Sequence, residues 1–128
     1  MTAAVGTELP ELRLDVTTTF VVSTAIATRD FQDVHHDREA AVARGSQDIF
    51  LNILTDTGLV QRFVTEWAGP EALVRNISIK LGVPCHAGET LVFSGRVVAV
   101  EGEETVVEVV GRNSLGDHVS GTVRVVLP

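Results

Sequence analysis

The hydrophobic period of this chain changes abruptly at Pro70, and that change constrains the fold more than any other feature. Between Asp48 and Gly69, Ile49, Phe50, Ile53, Leu54, Leu59, Val60, Phe63, Val64 and Trp67 recur at helical spacing. Asp48 suits an N-cap, and Gly69 with Pro70 ends the run. So broad an apolar stripe implies a largely buried helix. Gly58 inside it costs ~1 kcal/mol against Ala, and reads equally as a tolerated glycine or as a point of close backbone approach. Beyond Pro70 the period is two. In residues 74–83, Ile77, Ile79, Leu81 and Val83 share one face, while Asn76, Ser78 and Lys80 share the other. Three more strand-like runs follow at 90–100, 105–113 and 118–127, separated by the short turns HAGE, EGEE and SLGD. Gly95, Gly111 and Gly121 interrupt these runs and indicate bulges, strong coiling or close packing on the helix.

The residues before the long helix are less regular. Residues 1–16 read as a lead-in broken by Gly6 and Pro10. Residues 17–27, rich in Thr, Val, Ile and Phe, predict a strand. Residues 37–45 predict a short helix capped by Asp37 and stopped by Gly45. The expected order is strand, short helix, long apolar helix and four strands. That is an α+β arrangement: one buried helix against a curled antiparallel meander of about five strands. Its edge strands would invite pairing with another copy or with a homologue.

Composition excludes several functions. The 128 residues fit one domain, 1–128, with a single core. Ten Lys and Arg against 17 Asp and Glu leave a net charge of -7, which argues against nucleic-acid binding. Cys85 is the one cysteine, so neither an internal disulfide nor a Cys-based zinc site is expected within the chain. No signal peptide and no apolar stretch of ~18 residues is recognisable, so the expected setting is cytoplasmic, without a membrane span.

The residues with most chemistry lie in RDFQDVHHD, positions 29–37. Asp30 and His35 are separated by four residues, and an irregular turn would bring a carboxylate and an imidazole within reach of one water. The N-terminus of the buried helix, around Asp48 to Phe50, offers backbone N–H groups and the positive dipole end to a carbonyl oxygen becoming an enolate. Base, water and oxyanion donors are what hydration of an α,β-unsaturated thioester requires. Spacing alone nevertheless favours a solvated polar turn over a catalytic site. A metal site built from Asp33, His35, His36 and Asp37 lacks any recognised ligand motif. His86 and His118 fall in expected hairpin turns and read as exposed. Cys85 reads as a packed thiol. Arg112 and Asn113 read as turn residues or as the edge of a pocket.

The stretch RDFQDVHHDREAAVARG resembles the hydratase motif of MaoC-like enoyl-CoA hydratases, which have the hot-dog fold. The family pattern G-D-x-N-P-x-H puts its Asp at Asp30 and its His at His35. Arg29, Gln32 and Asp33 stand where the family has Gly, Asn and Pro. The likeness runs from about Thr17 to Leu127. It extends, through residues 27–70 and GRNSLGDHVSGTV, to the small MaoC-like subunits of actinobacterial steroid side-chain enoyl-CoA hydratases, which act in cholesterol catabolism.

The resemblance implies a catalytic Asp30 and His35 that deprotonate water for attack on the β-carbon. It implies backbone donors at Ile49 and Phe50, in a chain without the family's His-Gly pair at the helix start. Gln32, His36 and Asn52 are expected to line the substrate pocket. No cofactor is implied, since CoA is part of the substrate. The implied partner is a larger MaoC-like subunit carrying an OB-type (DUF35) domain, in an α2β2 heterotetramer. Two other readings stay open. The altered residues 29, 32 and 33 suit a non-catalytic partner that completes another chain's site. A hot-dog thioesterase would instead use a carboxylate near the central helix, Asp48 or Asp56.

Overall fold

A computed structural model describes residues 1–128. The chain order is β1 (Glu8–Asp15), α1 (Thr18–Ala27), a single 3-10 turn (Asp33–His35), α2 (Arg38–Ala43), α3 (Ile53–Ala68), β2 (Leu73–Leu81), β3 (Thr90–Glu101), β4 (Glu104–Asn113) and β5 (Gly116–Val126). The five strands form one antiparallel sheet in the order β1-β3-β4-β5-β2, packed against α3. This is the expected α+β layout.

The run at 17–27 is a helix, not a strand. Thr17 caps it by accepting the Phe20 N–H at 3.0 Å. Thr24 and Thr28 donate their hydroxyls back to the carbonyls of Phe20 and Thr24, at 2.7 and 2.8 Å. Such back-bonding accommodates β-branched residues in a helix, and burial of Val21 and Ala25 on one face completes it. Tertiary packing overrides local β-propensity here. The fifth strand comes instead from the expected lead-in. In β1, Leu12 and Leu14 point towards the core and Glu11, Arg13 and Asp15 outwards. The ladder shifts register between Leu9 and Leu12, where Pro10 has no N–H to donate.

Only β3, β4 and β5 form a simple meander. The strand after the long helix, β2, pairs with β5 at the far edge and not with β3. The long helix also begins at Ile53, with Asn52 as N-cap, not at Asp48. Residues 49–51 are extended and pair with 85–87: Leu51 N–H donates to Cys85 O and Ala87 N–H to Ile49 O, each at 3.0 Å. This pairing draws Ile49 and Leu51 into the core.

On α3, Leu59, Val60, Phe63 and Val64 are buried against Phe93, Val107, Val109 and Val123 of the sheet. Phe63 stacks on Phe93 at a centroid distance of 5.9 Å. Gly95 lets the sheet come this close, because a Cβ there would lie 2.8 Å from Glu108 O and 2.9 Å from the Phe63 ring. Gly58 has open space around its Cβ position and is simply tolerated. Ile53 and Leu54 belong to the helical stripe but stay 51% and 52% exposed. Cys85 is a buried thiol, as expected, and burial pushes its pKa up to about 11.

Candidate active site

The end of α1 sets the position of Asp30. Arg29 has φ 60, a left-handed conformation that favours glycine. Its N–H donates to Ile26 O at 3.0 Å, and the Asp30 N–H donates to Ala25 O at 2.9 Å. These two bonds make a Schellman motif with Thr28 as C-cap. The left-handed position expected to carry Gly is therefore kept, with arginine in it.

The 3-10 turn then brings His35 back. Asp33 occupies its first position, where a proline would fit equally well because no intrahelical N–H bond is needed. Arg44 holds Asp33 at 3.0 Å, and this hydrogen bond lowers the pKa of the exposed carboxyl. Asp37 caps α2 by accepting the Ala40 N–H at 3.1 Å, and Gly45 follows that helix with φ 96.

His35 is buried, and its Nε2 lies 3.4 Å from Asp30 Oδ2. That separation exceeds a good N–H···O hydrogen bond. His35 Nδ1 lies 2.7 Å from Phe50 O. A carbonyl can only accept, so Nδ1 carries the hydrogen and Nε2 of the neutral ring keeps a lone pair facing Asp30. Imidazole and carboxylate thus present two acceptors to one point, an arrangement that can bind and deprotonate water.

Phe50 O also ties His35 to the start of α3. The expected donors Ile49 and Phe50 are not at the helix end. The Ile49 N–H donates to Asp48 Oδ1 at 2.7 Å, and the Phe50 N–H to Val34 O at 3.4 Å. The unbonded N–H groups lie further on, at Asn52, Ile53, Leu54 and Thr55, and no side chain caps them. The shift follows from the 49–51 pairing, which delays the helix.

The expected pocket residues separate. Gln32 is exposed, and its N–H reaches Asp30 Oδ1 at 3.3 Å. His36 is exposed beside the pair. Asn52 is 2% exposed, and its amide bonds to Thr28 and Thr55. Asn113 bonds Pro84 O at 2.9 Å, and Arg112 bonds Asp117 at 2.7 Å.

His86 and His118 are buried, at 8% and 3% exposure, rather than exposed. His86 lies within the 85–87 segment, bridged to Phe50, whose ring it meets edge-on at a centroid distance of 6.4 Å. His118 on β5 meets Asp56 on α3, its Nε2 2.9 Å from both carboxylate oxygens and its Nδ1 2.7 Å from Val83 O. The symmetric contact fits an N–H shared between two carboxylate oxygens, hence an imidazolium–carboxylate pair. Burial alone would lower the His118 pKa, but the hydrogen bond and charge of Asp56 outweigh it and raise it. Burial raises Asp56, with His118 partly offsetting the shift. Asp56, 0% exposed, has no access to a substrate, and Asp48 is engaged with Ile49 and Arg38. The sequence signal missed was distance: 62 positions separate the partners.

A curled antiparallel sheet on one long helix, with the Asp30–His35 pair tied through Phe50 to the start of that helix, is the hot-dog layout that the MaoC-like resemblance implies. No protein-family model matches the chain. It is 66% identical over 119 residues to the 3-oxo-4,17-pregnadiene-20-carboxyl-CoA hydratase beta subunit of Mycobacterium tuberculosis, covering 93% of this chain and 92% of that protein. A chain in the crystal structure of the ChsH1-ChsH2 complex from M. tuberculosis superposes with a TM-score of 0.97 at 61% identity, over 99% of this chain and 100% of that one. The (R)-hydratase from A. caviae involved in PHA biosynthesis shares the fold, with a TM-score of 0.91 at 18% identity over 99% and 98% of the two chains. The chain belongs to the MaoC-like hydratase family, in the group of that M. tuberculosis beta subunit. It is a hydratase subunit. No helix is long and apolar enough to cross a membrane.

Proposed function

We propose that this chain is the Asp–His subunit of a heteromeric enoyl-CoA hydratase. It adds water to the double bond conjugated to the thioester of a steroid side-chain acyl-CoA. The observation that carries the reading is the 3.4 Å approach of His35 Nε2 and Asp30 Oδ2 beside the open start of α3. In the reaction, Asp30 and His35 hold one water. Its oxygen bonds to the β-carbon while its proton passes to the pair. The thioester oxygen gathers the charge and accepts N–H bonds from Asn52 and Ile53. The proton then returns to the α-carbon, giving the 3-hydroxyacyl thioester. Such oxyanion donors contribute about 10²–10³ in rate.

The substrate class follows the 66% identical relative, whose substrate is 3-oxo-4,17-pregnadiene-20-carboxyl-CoA. A partner subunit follows the ChsH1-ChsH2 complex; its being a larger MaoC-like chain with an OB-type (DUF35) domain, in an α2β2 heterotetramer, is what the family resemblance implies and is part of this proposal. Phe31, Ile53 and Leu54, all more than half exposed around the catalytic turn, support a partner that covers this face. The net charge of -7 leaves the CoA phosphates to basic residues of that partner. The reaction needs no cofactor, and the setting is the cytoplasm.

The test is loss of enoyl absorbance from 3-oxo-4,17-pregnadiene-20-carboxyl-CoA on mixing the chain with its partner. Asp30→Ala and His35→Ala in the intact complex should abolish that loss. Full activity in both variants overturns the reading.

A further inference from the structure

A side-chain bridge joins the proposed base to the proposed oxyanion donors. Asn52 Nδ2 donates to Thr28 Oγ1 at 2.8 Å, and Asn52 Oδ1 accepts from the Thr55 hydroxyl. Thr28 donates its own hydroxyl to Thr24 O at 2.8 Å, which leaves its oxygen free to accept. On one side, Thr28 is the C-cap of α1, and the Schellman bonds of Arg29 and Asp30 carry its position to the Asp30 carboxylate. On the other, Asn52 is the N-cap of α3 and bears the first open N–H.

Asparagine at an N-cap normally bonds the backbone of its own helix. Here it makes no such bond, and the buried amide is spent on Thr28 and Thr55. The helix forgoes its cap while a link between α1 and α3 is gained.

We propose that Asn52 and Thr28 are positioning residues whose bridge sets the distance between the Asp30–His35 pair and the N–H donors of α3. This rests on Asp30 and His35 being the base. Hydration demands that distance, because the attacked β-carbon and the thioester oxygen are held apart by a rigid conjugated system. Water over one end and donors at the other must match its length. Displacement of about 1 Å can cost ~10²-fold in rate.

The test is steady-state kinetics of the assembled complex with 3-oxo-4,17-pregnadiene-20-carboxyl-CoA, normalised to intact complex by size exclusion. Thr28→Val keeps the shape and removes the acceptor. It should lower kcat by about 10- to 100-fold with KM within about twofold, and Thr28→Ser should restore kcat. Asn52→Ala should reproduce the loss, and the double variant should be no worse than the poorer single one. If Thr28→Val does not assemble, Asn52→Ala alone decides by the same split. A kcat within twofold of the parent, or a rise in KM alone, overturns the proposal. Asp30→Asn is the reference: an inactive Asp30→Asn beside an unimpaired Thr28→Val refutes the bridge only, whereas a fully active Asp30→Asn refutes the base assignment beneath it.

Discussion

His35 donates its Nδ1–H to the carbonyl oxygen of Phe50 across 2.7 Å, and this bond aims Nε2 at Asp30. The tautomer is thereby set by a backbone acceptor fifteen residues away. Loss of either member of the pair should remove the water's base without removing the fold. Asp30→Asn and His35→Gln should each reduce kcat by ~10²–10⁴, while the circular-dichroism spectrum and the assembly stay as in the parent. Steady-state assays of the assembled complex check this.

The Asp56–His118 pair should make stability depend on pH in one direction. The folded pKa of His118 is raised above 6.5. The pair's contribution is then complete below about 6.5 and is lost as pH rises through the folded value. Tm should therefore fall as pH is raised from neutrality, and Asp56→Asn should flatten that dependence. A Tm series in matched ionic strength reads the difference.

Removing one partner of that pair leaves a buried polar group uncompensated. Asp56→Leu should destabilise by ~3–5 kcal/mol. Urea unfolding at pH 6 measures it, and an effect below ~1 kcal/mol would show that the pair is not a structural anchor.

Arg29 holds a left-handed backbone, φ 60, at a cost of ~1 kcal/mol for a residue with a Cβ. Arg29→Gly should stabilise the chain by roughly that amount, with the Schellman bonds retained. An unchanged or lowered denaturation midpoint would contradict it.

Two glycines should respond oppositely to alanine. Gly58 is exposed inside α3 with open space around its Cβ position, so Gly58→Ala should stabilise by about 0.5–1 kcal/mol. Gly95→Ala would force a methyl against Glu108 O and Phe63 and should destabilise by ~1–3 kcal/mol. Thermal melts of the two single variants decide the signs.

Periodicity by itself determined that one helix packs on an antiparallel sheet, because residues 53–68 repeat at helical spacing and residues from 73 onwards alternate. The short helix, its Asp37 cap and the Gly45 stop were legible for the same reason, since they depend on neighbours in sequence. The pairing of Asp30 with His35 was legible as a motif, since only four residues separate them. What lies between distant segments was not legible. Residues 49–51 leave the helix because 85–87 offer them strand bonds, so the open N–H groups begin at Asn52. The Thr-rich run became a helix because its hydroxyls bond back along it and Val21 and Ala25 are buried. The edge position of β2, the burial of His118 on Asp56 and the Thr28–Asn52 link join residues far apart in the chain. Local propensity carries no information about such partners, so only the tertiary structure could decide them.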